Sequence, residues 1–306
     1  MSIDLLISSS PTEPGMISGV FMDPSLIAIP AYLLLIGLEI FAFHREEDAE
    51  QRGYGLKDTL TSMVMGAGYA VIGLIWVAVS VIVWEAAHAL TPLRIEVTWW
   101  SWPVIMLLVD LCYYWEHRVA HEVRIFWASH VVHHSSQYFN FSTPIRQTWT
   151  GVHRIAFLAP VALAGFPVYV IPLAFGLNLV YQFCLHTKRI GRLHPMIEFV
   201  FNTPSHHRVH HAVNDKYLDR NYGGILIVWD RMFGTFQSED EEAVYGLTKN
   251  INTYNPLKVA FHEYIDIVRD VNMARSWKER LGYVFGRPGW QPRQGSELEF
   301  VPAMQS

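Results

Sequence analysis

Apolar residues are concentrated in four long runs within the first two thirds of the chain, at residues 25–43, 61–84, 99–115 and 155–185. A helix that crosses the hydrocarbon core of a bilayer needs about 20 mostly apolar residues. The first three runs are near that length, and each predicts one membrane helix. The first contains one acid, Glu39, and the third opens on the aromatic residues WWSW and contains Asp110.

The fourth run is too long for one crossing and is interrupted by the turn-forming segment Gly165-Phe166-Pro167. It therefore predicts a helical hairpin with a short arm, a turn and a fourth membrane helix over 168–185. In the second run, Gly66, Gly68 and Gly73 are suited to close packing of helices in lipid.

The chain is more polar after residue 188. Residues 214–224 are typical of a loop, and 256–281 predict an amphipathic helix, with apolar positions at Phe261, Ile265, Val268 and Val271. We expect that helix to lie on the domain or on the membrane surface. The predicted organisation is membrane helices one to three (1–115), a first histidine-rich segment (116–154), the membrane hairpin (155–187), and a domain with the second histidine cluster (188–306).

The positive charges predict an orientation. Of 23 Lys and Arg residues, only Arg94 lies in a segment assigned to the outside; the others lie in 44–60, in 117–154 or after residue 187. By the positive-inside rule the N-terminus is outside, and the histidine motifs are cytoplasmic. We thus predict an all-α integral membrane protein with about four transmembrane helices and a cytoplasmic histidine-rich helical domain. It would lie in a bacterial inner membrane, or in the endoplasmic reticulum of a eukaryote.

Composition agrees with a membrane protein and narrows its chemistry. Hydrophobic residues make up 51% of the chain and charged residues 17%, and the net charge of −5 gives no basic surface for nucleic acid. The two cysteines lie in apolar runs, so a disulfide framework or a cysteine-based zinc site is not expected. Histidine is the outlier, because 5 of the 18 residues of HRVAHEVRIFWASHVVHH are histidines.

The histidines fall into motifs with the spacing of metal ligands. Residues three and four apart share one face of a helix, so an HxxxH or HxxHH motif directs its imidazoles to one point. The candidate ligands are His117, His121, His130, His133, His134, His186, His207, His210 and His211, with His206 as a possible further ligand. Because one metal ion rarely takes more than six ligands, nine candidates imply two ions. Imidazole ligands suit iron, zinc, copper or nickel, and the residue types leave that choice open.

The first two motifs can serve one site only if the chain bends between them. At about 100° per residue, His130 would lie about 220° around a continuous helix from His117. We therefore predict a bend near 122–124.

Three side chains are candidate catalytic residues that orient the ligands. Asp110 precedes His117 by seven residues, Gln182 precedes His186 by four, and Glu122 follows His121 directly. A hydrogen bond from an imidazole N–H to such a group would fix the tautomer of the histidine. Tyr114 and Trp115 are predicted to line the approach of a substrate.

The order of these motifs resembles the membrane-bound fatty acid hydroxylase/sterol desaturase superfamily. Over about residues 100–260, longer phrases are similar to the alkylglycerol monooxygenases and their bacterial relatives: HHSSQYFNFST, NTPSHHRVHH, DRNYGG and WDRMFGTF. The resemblance implies a non-haem di-iron centre with the nine histidines as ligands and an acid after HxxxH, which Glu122 matches. It also implies that O2 and two electrons are consumed per turnover, the electrons coming from a reduced pterin or a reductase.

The expected function is therefore O2-dependent hydroxylation of a membrane lipid chain, such as that of an alkylglycerol. The expected partners are that lipid and an electron-donor protein or small reductant. One alternative is a desaturase of a sterol or acyl chain, with the same chemistry. Another is a zinc-binding membrane protein, hydrolytic or structural, which needs only one metal and no reductant.

Overall fold

The computed structural model describes residues 23–45 and 53–292. These residues form α-helices with one short 3-10 turn at Thr143–Ile145 and without a β-strand. The helices are α1 Pro24–Ile27, α2 Ile29–Phe43, α3 Leu56–Ala89, α4 Trp102–Glu122, α5 Arg124–His134, α6 Arg154–Leu163, α7 Val170–Phe183, α8 Pro195–Val200, α9 Pro204–His210, α10 Val228–Phe233, α11 Pro256–Met273 and α12 Trp277–Phe285. The N-terminus, which the charges place outside the membrane, lies beyond the described residues.

Helix α3 is the one helix of the described residues that is long and apolar enough to cross a membrane. Its 34 residues extend over about 50 Å. The most apolar 18-residue window of the segment Leu56–Leu90 has a mean hydropathy of 2.2, and only 6% of that window is buried. Side chains such as Val71 and Ile82 are exposed along it. The predicted span at 61–84 lies wholly inside this helix.

The other predicted spans correspond to shorter elements. The run 25–43 forms α1 and the 15-residue α2, and the predicted hairpin forms α6 and α7, with 10 and 14 residues. Its turn includes Gly165, whose φ of 92° favours glycine and whose added Cβ would overlap the Leu93 backbone. A helix, a turn and a second helix are therefore present where the hairpin is predicted, whereas its insertion in a membrane and four full crossings remain predictions.

The predicted bend between the first two histidine motifs is confirmed. Helix α4 ends at Glu122 and α5 begins at Arg124. Between them Val123 has φ −124° and ψ 117°, an extended conformation that breaks the helix. The bend lets the two helices fold back on each other.

Helices α3, α4, α6 and α7 enclose the largest apolar core, with Trp84, Val109, Leu158 and Ile171 among its buried side chains. The Trp84 indole N–H donates to the Ile155 carbonyl at 2.8 Å and joins α3 to α6. Burial of such large side chains is the main stabilising contribution here. This core holds the end of α4, and hence its two histidines, in a fixed place.

Two buried arginines fix the histidine segment to its surroundings. Arg146 donates to the Asp58 carboxylate at 2.5 Å and to Ser135 Oγ at 3.1 Å, joining α3 to the residues after α5. Arg124, at the start of α5, pairs with Glu263 and Asp270 of α11 at 2.7 Å each. Helix α5 is thereby held from both sides.

The predicted amphipathic helix at 256–281 is two helices, because the chain is extended at Ala274 between α11 and α12. Helix α11 begins where the Asn255 side chain accepts from the Leu257 and Lys258 backbone amides. Its packed face carries Val259, Ala260 and Ile267 with the ion-paired Glu263. The predicted stripe of Ile265 and Val268 is on the exposed side, which agrees with a position on a surface.

Candidate metal centre

The nine predicted histidines converge in two groups. In each group the nearest ligand atoms all lie within 4.8 Å of one another. The five-histidine group comprises His117, His121, His130, His134 and His210; the four-histidine group comprises His133, His186, His207 and His211. These side chains come from α4, α5, the end of α7 and α9, so four distant segments meet here.

Helical periodicity decides which imidazole joins which group. Residues four apart differ by about 40° around a helix and point the same way. His130 and His134 of α5 therefore enter the five-histidine group together, and His207 and His211 enter the four-histidine group. The remaining member of each HxxHH motif, His133 or His210, joins the opposite group. Each motif thus contributes to both groups.

The imidazole nitrogens face one another inside each group. The Nε2 atom of His130 lies 2.9 Å from that of His117 and 3.1 Å from that of His134. In the four-histidine group, His186 Nε2 lies 2.9 Å from His207 Nε2 and 3.2 Å from His133 Nε2. Two nitrogens bound to one ion at about 2.1 Å would be about 2.9–3.4 Å apart at right-angled to tetrahedral geometry. The separations fit ligands of a shared ion.

Six histidines of the two groups are neutral near pH 7. Burial, together with the neighbouring imidazoles, holds the pKa values well below the usual range at His130, His133, His134, His207, His210 and His211. A neutral imidazole offers the lone pair that a metal needs. Several buried ring nitrogens lack a hydrogen-bond partner in the described part of the chain, namely His121 Nδ1 and Nε2, His133 Nδ1, His207 Nδ1, His210 Nε2 and His211 Nε2. Unpartnered buried polar atoms are costly, and metal ions would satisfy those that face into the groups.

Backbone carbonyls orient three of the imidazoles. His117 Nδ1 donates to the Tyr222 carbonyl at 2.8 Å, His210 Nδ1 to the Arg220 carbonyl at 3.0 Å, and His186 Nδ1 to the Gln182 carbonyl at 2.8 Å. A proton on Nδ1 leaves Nε2 free to bind a metal. The tautomer is thus set mainly by main-chain atoms.

The predicted contact from Asp110 to an imidazole is not formed, so that prediction is corrected. Both carboxylate oxygens are occupied by the Ile225 and Leu226 backbone amides, the Trp229 indole and the Asn178 amide, at 2.7–3.0 Å. Asp110 therefore anchors the segment that follows Tyr222. It acts on His117 only indirectly, through the position of the Tyr222 carbonyl.

Glu122 and Gln182 also contact other groups than predicted. Glu122 pairs with Arg118 at 3.1 Å and lies 3.8 Å from Arg287. The Gln182 side chain accepts from the Tyr113 hydroxyl at 2.8 Å, and it is the Gln182 main chain that binds His186. The four-residue spacing correctly predicted that Gln182 contacts His186, but the contact is made by the main-chain carbonyl of Gln182 and not by its side chain.

His206, the possible tenth ligand, lies outside both groups. Its Nε2 is 2.9 Å from the Glu198 carboxylate, and its Nδ1 is 3.3 Å from Thr203 Oγ1. Burial lowers the pKa of His206 to about 4, although Glu198 opposes this shift. Its contacts are those of a structural residue.

Tyr114 and Trp115 do not line the cavity of about 860 Å³ between α3, α6 and α7. Tyr114 is fully buried, with its hydroxyl 3.0 Å from Thr235 Oγ1 and its ring stacked on Phe233. Trp115 is partly exposed beside the same ring and below Arg118. These contacts give no support to the predicted substrate-lining role.

The sequence reasoning missed the loop that orients the histidines. Asp219 Oδ1 lies 3.6 Å from His121 Nδ1, and Arg220 and Tyr222 supply the carbonyls named above. Asp219 and Asn221 both have φ of 57°, a left-handed conformation that Asp and Asn tolerate better than other side chains. The only sequence signal was this Asp/Asn pair, since a main-chain carbonyl has no residue type of its own.

Comparison with known proteins agrees with this site. The family model "Fatty acid hydroxylase" matches residues 102–235, which contain all nine histidines. The chain is similar to alkylglycerol monooxygenase of Homo sapiens, with 47% identity over 195 residues, covering 63% of this chain and 43% of that protein. It is 38% identical to alkylglycerol monooxygenase of Danio rerio over 273 residues, covering 87% of this chain and 59% of the relative.

A more distant similarity is to ornithine lipid hydroxylase OlsE of Rhizobium tropici, with 29% identity over 158 residues, covering 45% of this chain and 44% of that protein. The chain spans about half the length of the curated relatives it matches. No solved structure matches it.

Proposed function

Since this chain belongs to the fatty acid hydroxylase family, we propose that it is an O2-dependent monooxygenase of a membrane lipid. The proposed substrate is an alkylglycerol or a related lipid with one oxidisable chain. The relatives at 38–47% identity bear the name alkylglycerol monooxygenase, and this supports the choice of substrate.

The observation that carries the proposal is the pair of histidine groups. They are adjacent, because the rings of His134 and His211, from different groups, stack at 4.3 Å. Two groups with five and four imidazoles can hold two neighbouring ions, which suits chemistry that needs more than one metal. The family is one of iron-dependent oxygenases, and imidazole suits iron, so we assign iron to both groups.

Bound iron would supply the activation of O2. The overall reaction takes one C–H bond, O2, two electrons and two protons to one C–OH bond and water. The protein's own contribution is to bring the nine imidazoles together and to orient three of them, His117, His210 and His186, through the Tyr222, Arg220 and Gln182 carbonyls. Cys112 and Cys184 are in neither group, so no easily oxidised thiolate belongs to the site.

The electrons would come from an external donor, either a reductase or a small reductant such as a reduced pterin. The enzyme would be a multi-pass membrane protein with the metal centre on the cytoplasmic side. The exposed apolar surface of α3 and the distribution of Lys and Arg support that placement.

The test is turnover of the purified chain with an alkylglycerol, a chemical reductant and O2 enriched in the heavy oxygen isotope. We expect a product that carries one heavy oxygen atom, measured by mass spectrometry, and an equal yield from His262→Ala, since His262 lies in neither group. Loss of two hydrogens without label would indicate a desaturase instead. An unchanged lipid in the presence of two bound irons and reductant would contradict the proposal.

A further inference from the structure

A cavity of about 860 Å³ lies between α3, α6 and α7, within the usual size range of small-ligand sites. It follows α3 from Tyr69 to His88, a length of about 28 Å for a helix. The middle is lined by apolar side chains, among them Leu74, Val77 and Leu158. A largely apolar cavity that extends along a membrane-type helix can accommodate one extended hydrocarbon chain.

The inner end of the cavity carries Arg154, whose partner Glu116 is buried behind the cavity wall. Arg154 lines this end, with its guanidinium 4.9 Å above the Phe175 ring. Its Nε lies 3.7 Å from the buried Glu116 carboxylate and has no hydrogen-bond partner among the described residues. Glu116 is also 2.8 Å from His153 Nε2. One buried donor is therefore left free beside the apolar wall.

This end is one layer of side chains from the five-histidine group. Glu116 directly precedes His117 in α4. The Phe175 ring, which lines the cavity, lies 6.3 Å from Tyr113, and the Tyr113 ring lies 5.1 Å from His117. A ligand that fills the cavity would have its inner end nearest to the metal centre.

We propose that this cavity holds the chain of the lipid substrate and that Arg154, which is paired with Glu116 behind the cavity wall, binds a hydroxyl oxygen of its head group. The inference rests on the proposed function, and it adds the orientation of the lipid within the cavity. With the head at the inner end, the carbon oxidised is the one next to the head group, and the chain end points away from the metals.

The pair favours a neutral head group over an anionic one. Arg154 can donate to a hydroxyl oxygen, and the buried Glu116 carboxylate beside it already balances its charge. The two charges cancel, so a phosphate or carboxylate would gain from Arg154 but be repelled by Glu116 at close range. The pair therefore selects a hydroxylated, uncharged lipid.

The outer end is also polar, with Glu85, His88, Arg94 and Glu96. The Arg94 guanidinium is already engaged, since its Nη1 donates to the Thr91 and Leu93 carbonyls at 2.6 Å. Because the Arg94 guanidinium is engaged and Arg154 Nε has no hydrogen-bond partner among the described residues, the inner end is favoured for the head group. Arg94 also provides a matched control, because both arginines line the same cavity.

Chain binding is tested by blocking the cavity. An added Cβ at Gly73, which lines the cavity, or at Gly37, which does not, meets nothing within 4 Å. We expect Gly73→Trp to weaken equilibrium binding of radiolabelled hexadecylglycerol to the purified protein at least ten-fold, and Gly37→Trp to bind as the unsubstituted protein does. Unchanged binding by Gly73→Trp would overturn the cavity assignment. Since binding is measured without turnover, this outcome is separate from failure of the monooxygenase proposal.

Head-group binding is tested with Arg154→Met and Arg94→Met. A lost hydrogen bond to a charged group corresponds to about a ten-fold change, so we expect Arg154→Met to weaken hexadecylglycerol binding about ten-fold and to leave hexadecane binding unchanged. Arg94→Met should alter neither. The double variant Arg154→Met/Glu116→Gln leaves no unpaired charge and should show the same selective loss if the single variant fails to fold. A loss in Arg94→Met with none in Arg154→Met would place the head at the outer end and overturn the proposal.

Discussion

At the residue scale, the candidate centre depends on neutral imidazoles held close together. Nine histidine side chains share two small volumes, and protonation of any of them would place a charge beside the others. Metal ions or hydrogen bonds must offset the cost of burying so many polar rings. The first consequence is a strong dependence of stability on pH.

We predict that the metal-free protein loses stability as pH falls below about 6.5. The unfolded imidazoles take up protons near pH 6.5, whereas the six histidines with lowered pKa values stay neutral in the fold. The unfolded state therefore binds more protons, and each extra proton lowers the free energy of unfolding by about 1.4 kcal/mol per pH unit. Chemical unfolding in detergent between pH 8 and pH 5 measures the slope. His133→Asn should reduce this slope by the contribution of about one proton. A free energy of unfolding that does not change with pH would refute the neutral cluster.

We also predict that Asp110 matters for stability more than for metal ligation. Asp110→Ala leaves two backbone amides and an indole N–H without their acceptor, which should cost on the order of 3 kcal/mol or more. Thermal unfolding in detergent measures the loss, with exposed Asp266→Ala as a comparison. A variant as stable as the unsubstituted protein would show that these contacts contribute little.

Much of the site could be predicted from residue types, and its supporting contacts could not. Nine histidines at helical spacing gave the groups, because imidazole and i, i+4 spacing are visible in a sequence. The partners of Asp110 and Gln182 were misjudged, because spacing within one helix ignores the elements that pack against it. The loop at 219–226 binds Asp110, and Tyr113 of α4 binds Gln182. Tertiary contacts decided both.

At the element scale, breaks in helices were predictable where the directions of side chains or a turn-forming residue required them. The bend at Val123 followed from the opposed directions of His117 and His130, and Gly165 marked the hairpin turn. The division of 256–281 at Ala274 was missed, although Ser276 followed three residues later by Glu279 is the signature of a new helix start. The packed face of α11 was also missed, because its Glu263 and Asp270 are buried by pairing with Arg124.

Helix α3 is joined to the histidine segment by the Arg146–Asp58 pair, and we predict that breaking this pair is costly. Removing one partner of a buried pair typically costs about 3–5 kcal/mol. Asp58→Ala should therefore lower the thermal unfolding temperature far more than Asp266→Ala, whose ion pair with Arg269 is exposed. Equal effects would show that Arg146 finds other acceptors in the variant.

At the scale of the whole molecule, one long apolar helix and several short ones surround the core. Helix α3 can cross a bilayer alone, whereas α6 and α7 extend over only about 15 and 21 Å. Hydropathy predicted where apolar segments lie but not how deeply each enters the membrane. The cavity beside α3 was equally invisible, because it depends on side chains of three helices.

We predict that the two ends of α3 lie on opposite sides of the membrane and that the histidine centre lies on the cytoplasmic side. In a chain with Cys112 and Cys184 replaced by serine, Thr91→Cys should react with an impermeant thiol reagent added outside intact cells. Ser238→Cys should react only after the membrane is opened. Labelling of both positions from one side would contradict this topology, in which the third span crosses once and the hairpin returns to the side from which it enters.

The central claim is that the two histidine groups bind two irons, and metal analysis of the purified protein tests it most directly. We predict two irons per chain in the unsubstituted protein and in His206→Ala, because His206 pairs with Glu198 outside both groups. His121→Ala and His210→Ala should each lose iron, thermal stability and lipid oxidation, because each removes a member of the five-histidine group. One zinc per chain, or full iron content and activity in His210→Ala, would contradict this assignment.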